Sequence, residues 1–179
     1  VGIVTPSSST SQINVPQTFT VTYSDPDGWQ NLWFGYLVIN NTLSGSNCFL
    51  GSYNRVINRL FLFDDSGTIG LGGYAPGSAN IIENSYVKLD CSQTSVSGSG
   101  NTLTVNWRIT FKSSFTGSKN IYLGTTDYAN ASDMWPQKGT VIINAPPTLG
   151  TITPSSGTGQ VDVPQTFTAT YSDPDGWQN

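Results

Sequence analysis

The 179-residue chain contains no histidine, one methionine and two cysteines, and only 10% of its residues are charged. The absence of histidine excludes a Ser-His-Asp triad, a Cys-His pair and a histidine-ligated zinc. Seven basic residues and a net charge of −4 argue against nucleic acid and against an anionic membrane surface as partners. No apolar run reaches the roughly 18 residues of a membrane span, so membrane insertion is not expected. With no residues to carry a reaction, the sequence predicts a protein that is not an enzyme.

Apolar and polar residues alternate with a period of two along most of the chain, and helical periodicity is nearly absent. The clearest case is 102–111, where apolar residues from Leu103 to Phe111 occupy every second position. Further strands are predicted over 3–5, 18–23, 33–39, 48–53, 60–63, 87–91, 120–125 and 140–144. Strands without helices predict an all-β fold, an antiparallel β-sandwich of seven to nine strands. Residues 70–82 are rich in glycine and are predicted to be an ordered loop insertion held by Tyr74 and Ile81.

The most informative feature of the sequence is an internal repeat. Residues 2–31 recur as residues 150–179, and 23 of the 30 aligned positions are identical. We therefore expect residues 1–145 to form one complete β-sandwich repeat and residues 150–179 to form the first strands of the next. Residues 146–149 would be a linker containing Pro146 and Pro147, which restrict the backbone. The repeat predicts a window on a long tandem array; the alternative is a two-copy protein.

The order of these segments resembles a known class of domain. The residues that carry the resemblance are Phe19, Tyr23 and the run Ser24-Asp25-Pro26-Asp27-Gly28, followed by an apolar strand, a closing hairpin and a proline-bearing linker. They are similar to the immunoglobulin-like and cadherin-like tandem repeats of very large bacterial surface or secreted proteins. The resemblance implies an immunoglobulin-like sandwich with an adhesive, spacer or filament-forming role and no chemistry of its own.

The run from Ser24 to Gly28 is also a candidate calcium loop. Two carboxylates two residues apart can point at one cation, and glycine allows the tight turn. In an immunoglobulin-like sandwich this loop shares one end with the last hairpin loop, which would bring Asp127 and Asp133 near Asp25 and Asp27. Calcium held by these four aspartates would stiffen the joint with a preceding repeat. The alternative is a type I turn that needs no metal.

Cys48 and Cys91 are the only thiols, and they lie 43 positions apart, which is not a metal-binding spacing. The composition, poor in lysine and rich in Ser, Thr and Asn, is typical of proteins outside the cell, and this favours a disulfide between the two. The alternative is that they are two small buried hydrophobic residues. This pair would depart from the immunoglobulin disulfide, which joins the second and sixth strands.

Aromatic and apolar side chains near the two repeats are candidate contacts between copies. Trp29 and Trp135 are predicted in loops at one end, where they would pack between successive repeats or cap the core. The alternative is that Trp29, Trp33, Trp135 and Tyr74 form a platform for a sugar. In the second copy an apolar face is expected at Val161, Val163, Phe167 and Tyr171. Because the two copies are interchangeable by sequence, either one could complete residues 32–145, including in a neighbouring molecule.

These observations lead to a first functional hypothesis. The chain is expected to be a structural repeat of a long extracellular protein that forms a surface stalk or filament, with neighbouring copies of itself as partners. The alternative is an adhesive or carbohydrate-binding module. Asp64 and Asp65 are adjacent, so on a strand they would face opposite sides and could not easily share a substrate; a turn explains them better.

Overall fold

The alternating segments of the sequence form strands, and the strands form two packed sheets. The computed structural model describes residues 2–174 and divides the chain into two units, residues 1–144 and 145–179. In the first unit the strands are β1 (Val4–Thr5), β2 (Ser8–Gln12), β3 (Pro16–Ser24), β4 (Leu32–Asn40), β5 (Phe49–Asn54), β6 (Arg59–Phe63), β7 (Gly70–Tyr74), β8 (Ile81–Glu83), β9 (Val87–Asp90), β10 (Ser95–Ser99), β11 (Thr102–Phe111), β12 (Gly117–Asp127) and β13 (Ser132–Asn144). A short 3₁₀ turn covers Trp29–Asn31.

The first unit contains two sheets, and each has its own central strands. One sheet has the order β1-β3-β11-β9-β8, and β10 pairs with the first half of β11. The other has the order β2-β13-β12-β4-β5-β6-β7. β11 is the centre of the first sheet because nine of its residues pair with β3. β4 and β12 form the centre of the second and pair with each other along almost their whole length.

The core lies between the two sheets and is formed by the inward-facing residue at every second position. Trp107 is fully buried in β11, and its ring meets that of Phe49 of the opposite sheet edge to face, with centroids 6.0 Å apart. Phe19 and Phe111 make a similar contact at 6.1 Å. Tyr23 donates a hydrogen bond from its hydroxyl to the carbonyl of Tyr36 across the core, at 3.0 Å. Such side chains remove most of their apolar surface from water, which is the main stabilising contribution to the sandwich.

The structure confirms the predicted all-β sandwich and corrects three of its details. β2 pairs in parallel with β13, so the second sheet is mixed and not wholly antiparallel. The parallel pair arises because the chain crosses from one sheet to the other between Thr5 and Ser8, which places β1 and β2 in different sheets. Residues 2–144 also contain thirteen strands, more than the seven to nine predicted.

The third correction concerns the glycine-rich segment 70–82. It is not a loop insertion, because β7 continues the second sheet beside β6 and β8 pairs with β9 in the first. Tyr74 and Ile81, expected to hold the loop, are 40% and 59% exposed. The adjacent Ile82 is buried instead. Gly72, with φ of 96°, lies directly against the Ile82 side chain, and a larger residue would not fit there.

The two ends of the first unit lie at opposite ends of β11. Gly2 donates its backbone N–H to the carbonyl of Thr22, which pairs with Thr104 near the start of β11. The carbonyl of Asn144 accepts a hydrogen bond from the N–H of Ile13. Asn14, which follows Ile13, donates its N–H to the carbonyl of Phe111, the last residue of β11. We call these positions the Thr102 end and the Phe111 end. A ten-residue strand is about 30 Å long, so the chain crosses the whole length of the sandwich.

The second unit contains one described hairpin. β14 (Thr148–Thr153) and β15 (Thr168–Ser172) are antiparallel, with Ile152 opposite Ala169 and Thr153 opposite Thr168. Its candidate contact residues are exposed: Val161 by 89%, Val163 by 57%, Phe167 by 58% and Tyr171 by 72%. These four side chains are thus exposed, and their contact with a neighbouring copy stays a prediction.

Candidate functional site

Two loops that carry the predicted calcium ligands meet at the Thr102 end. The N–H of Tyr128 donates to the carbonyl of Asn31, which joins the loop after β3 to the loop after β12. A cavity of about 210 Å³ lies between them, and its lining includes Asp25, Asp127 and Asp133. The sequence argument that the two loops share one end is therefore correct. Asp27 does not line this cavity.

Two carboxylates of this cavity, those of Asp25 and Asp127, accept hydrogen bonds within their own turns. Asp25 is buried, and its Oδ1 accepts the N–H of Asp27 at 2.9 Å, while Oδ2 accepts the side-chain amide of Asn31 at 3.4 Å. Oδ1 of Asp127 accepts the N–H of Ala131 at 2.8 Å. Within residues 2–174 no three acidic, histidine or cysteine side chains converge as a metal site. The turn interpretation has direct support in these bonds, and calcium binding stays a prediction.

The predicted disulfide between Cys48 and Cys91 is wrong, because both cysteines are free and buried. The carbonyl of Cys48 accepts a hydrogen bond from Asn84, in the turn that precedes β9. Val87, the first residue of β9, lies just after that turn, whereas Cys91 follows the last residue of β9. Four residues of extended chain, about 13 Å, therefore separate Cys91 from Val87. A disulfide requires Cα atoms within about 7 Å. Burial raises the pKa of Cys48 to about 12 and that of Cys91 to about 11, so both are small buried hydrophobic residues.

Asp64 and Asp65 bind different loops and do not form a pair. Oδ1 of Asp64 accepts the N–H groups of Thr68 and Ile69. The bond from Ile69, followed by the one from the Ser66 hydroxyl, lowers the pKa of Asp64. Asp65 accepts hydrogen bonds from the N–H and hydroxyl of Ser85. Asp64 thus closes its own turn, and Asp65 joins that turn to the loop between β8 and β9.

The four residues of the predicted sugar platform lie in different places. Trp33 and Trp135 belong to a row of aromatic rings on the second sheet, in which neighbouring centroids are 5.2 to 6.2 Å apart: Tyr128, Trp33, Phe34, Tyr36 and Trp135. Trp135 has a φ of 71°, and its ring lies over Gly124. Tyr74 is in β7 and does not belong to this row. Contact of Trp29 and Trp135 with a neighbouring repeat stays a prediction.

Trp29 lies apart from this row and lines a separate cavity. The cavity has a volume of about 750 Å³. Its walls come from five segments: the 3₁₀ turn, the β5–β6 hairpin, the loop after β7, the loop after β9, and β10. The lining residues are Trp29, Tyr53, Arg55, Asn58, Pro76, Gly77, Ser92, Gln93, Thr94, Ser95, Val96, Ser97 and Gly98. Sequence reasoning singled out Trp29 as a candidate sugar contact but missed its neighbours, because they are brought to it only by the fold.

Comparisons with known proteins add no relative to this description. No protein family, no curated protein and no solved structure matches the chain at a significant level. Residues 2–174 contain no helix with the length and apolar character needed to cross a bilayer.

Proposed function

We propose that this chain is a structural tandem repeat of a long extracellular protein that forms a cell-surface stalk or filament. The recurrence of one antiparallel strand pair carries the proposal. In β1 and β3 Val4 pairs with Val21, and in β14 and β15 the equivalent residues Ile152 and Ala169 pair in the same register. The second copy therefore repeats this strand pair as well as the sequence.

The positions of the two ends of the first unit support a linear arrangement. The backbone enters this unit at the Thr102 end and leaves it at the Phe111 end, as the hydrogen bonds of Gly2 and Asn144 indicate. A unit with its ends on opposite sides can be joined in series without the chain doubling back. Pro146 and Pro147 follow at once and limit the backbone freedom of the connection.

Neighbouring copies of the repeat are the partners that the exposed residues favour. Phe167 and Tyr171 are exposed in the second copy, whereas their equivalents Phe19 and Tyr23 are fully buried in the first. In the first copy the cover is supplied by residues 32–144 of the same repeat, and the same cover from a following repeat would bury the second. The immunoglobulin-like character, the extracellular location and strand exchange between molecules are part of this proposal and rest on the resemblance, the composition and the interchangeable copies.

Electron microscopy of a chain with three joined copies of residues 1–148 tests the proposal. We expect straight rods with three equally spaced densities along one axis, and the same chain treated with a calcium chelator tests whether calcium stiffens the joints. A matched chain in which Pro146 and Pro147 are both replaced by glycine should bend more at the joints while keeping the same number of densities. Globular particles in which the three units pack side by side would contradict the stalk.

A further inference from the structure

The 750 Å³ cavity beside β10 has an aromatic wall that is held in place by backbone contacts. The N–H of Trp29 donates to the carbonyl of Gly100 at 3.2 Å. The indole lies directly on Gly98, so close that a Cβ at that position would collide with the ring. A rigid aromatic ring loses little conformational freedom when a ligand packs against it.

Polar groups on the other walls are also held in fixed positions. The hydroxyl of Tyr53, which is buried, donates to Oδ1 of Asn58 at 2.9 Å. Arg55 donates from Nε to the carbonyl of Leu32 and from one terminal nitrogen to the hydroxyl of Tyr128 at 2.8 Å. Its other terminal nitrogen makes no hydrogen bond within residues 2–174. The guanidinium is therefore oriented by the protein and keeps donors for a ligand.

Other polar side chains at the cavity have their full hydrogen-bonding capacity available. Neither the amide of Gln93 nor the hydroxyl of Ser97 bonds to any residue in the described part of the chain. Gln93 offers two donors and an acceptor, and Ser97 offers one donor and two lone pairs. Among the residues that the structure describes, no acidic one lines the cavity, and Arg55 is its one charged residue.

We propose that this cavity binds a saccharide. A pyranose has an apolar C–H face that packs on an aromatic ring and hydroxyls that both donate and accept, and the cavity offers an indole together with neutral amides and hydroxyls. A divalent cation would need carboxylates, which are missing from the described lining. A phosphate group would be expected to meet several cationic groups or a helix N-terminus, and a purely apolar ligand would leave the polar walls unpaired.

The test uses the complete 179-residue chain and defined sugars. Hexasaccharides of glucose, of xylose and of N-acetylglucosamine, and an oligogalacturonate of the same length, are titrated calorimetrically against the protein. We expect at least one of them to bind, and Trp29→Ala to weaken that binding at least tenfold. Gly98→Val should weaken it similarly, because its side chain would displace the indole while leaving every ligand-contacting side chain in the sequence.

Matched variants separate a lost contact from a lost fold. Tyr122→Phe changes a partly buried aromatic residue outside the cavity and should leave the affinity unchanged. Each variant's unfolding midpoint is measured, and only variants that keep the wild-type circular dichroism spectrum are compared. Arg55→Lys should weaken the galacturonate alone if the guanidinium binds a carboxylate, and should weaken neutral sugars equally if it binds hydroxyls. The proposal is overturned if none of the four sugars binds, or if Trp29→Ala and Gly98→Val both bind as tightly as the wild type.

Discussion

Residues 2–26 and 150–174 carry almost the same sequence in two different surroundings. Both form an antiparallel strand pair in the same register, and both place a residue in the left-handed region at the same point, Asn14 and Asp162, each with φ of 60°. In both, the residue after the first glycine donates its N–H to a threonine hydroxyl, Ile3 to Thr22 and Thr151 to Thr170. These shared features depend on residues within the segment itself, so the local sequence is enough to produce them.

The differences between the copies appear wherever a partner from outside the segment is needed. β2 exists only in the first copy, because it pairs with β13 and the equivalent residues 156–160 have no such neighbour in the described part of the chain. β3 spans nine residues beside β11, whereas β15 spans five. The pairing of the first and third strands is therefore determined by the local sequence. The formation of the second strand, the length of the third strand and the burial of both depend on tertiary contacts.

The largest effect that tests this comparison is expected at an identical phenylalanine. Phe19→Ala removes a fully buried ring that packs on Phe111, and it should lower the free energy of unfolding of the first unit by roughly 3–5 kcal/mol. Phe167→Ala, the same change in the second copy, should cost less than about 0.5 kcal/mol because the ring is 58% exposed. Urea unfolding followed by circular dichroism measures both. Equal losses in the two variants would show that the second copy is also covered in solution.

The next effect concerns the parallel strand pair that only the first copy has. A Cβ at Gly139 would collide with the carbonyl of Ser7, so Gly139→Ala should force β2 away from β13 at a cost of roughly 1–3 kcal/mol. Hydrogen exchange should show faster exchange of the amides of 9–12. Gly157→Ala is the control in the second copy, since a Cβ added there would meet no atom within 4 Å, and it should change nothing. Unaltered protection in Gly139→Ala would mean that β2 does not need this close approach.

A pH effect should separate the two equivalent tyrosines. Burial raises the pKa of Tyr23 above its ordinary value of about 10, so the folded protein keeps a proton that the unfolded chain releases at high pH. The stability that Tyr23 contributes is therefore complete below about pH 10 and falls as the pH rises further, by at most about 1.4 kcal/mol per pH unit. Tyr23→Phe should reduce this slope and Tyr171→Phe should not, as measured by urea unfolding from pH 9 to 11.5. Identical slopes in the two variants would contradict the assignment to Tyr23.

Calcium is expected to give the smallest effect. It would act on the first copy alone, because Asp127 is the last residue of β12 and Asp133 lies in β13, and the described part of the second copy contains neither strand. At about 5 mM calcium, above the roughly 10⁻⁴ to 10⁻³ M dissociation constants of extracellular calcium modules, a bound ion would raise the unfolding midpoint. Asp133→Asn would then remove the rise, and Asp162→Asn, a control in the second copy, would not. A midpoint that does not move with calcium would end the calcium prediction.

Much of the sandwich could be predicted because its central strands bury one face. β3 and β11 bury every second residue, and this burial requires the alternation that the sequence displays. The strands that the sequence does not predict are β2, β7, β8 and β10, which are short and have few buried residues. Their strand state depends on backbone hydrogen bonds to a neighbour, which leave no periodic pattern in the side chains.

The candidate sites show the same limit more strongly. The repeat, the turn-forming aspartates and the exposed face of the second copy could all be read from short stretches of sequence, because each depends on neighbouring residues. The state of Cys48 and Cys91 depends on which ends of β5 and β9 come together, and spacing along the chain does not contain that distance. The cavity beside β10 combines Trp29 with Arg55 and Gln93 from two other loops. Side chains so far apart in the chain become neighbours only through the pairing and packing of whole sheets.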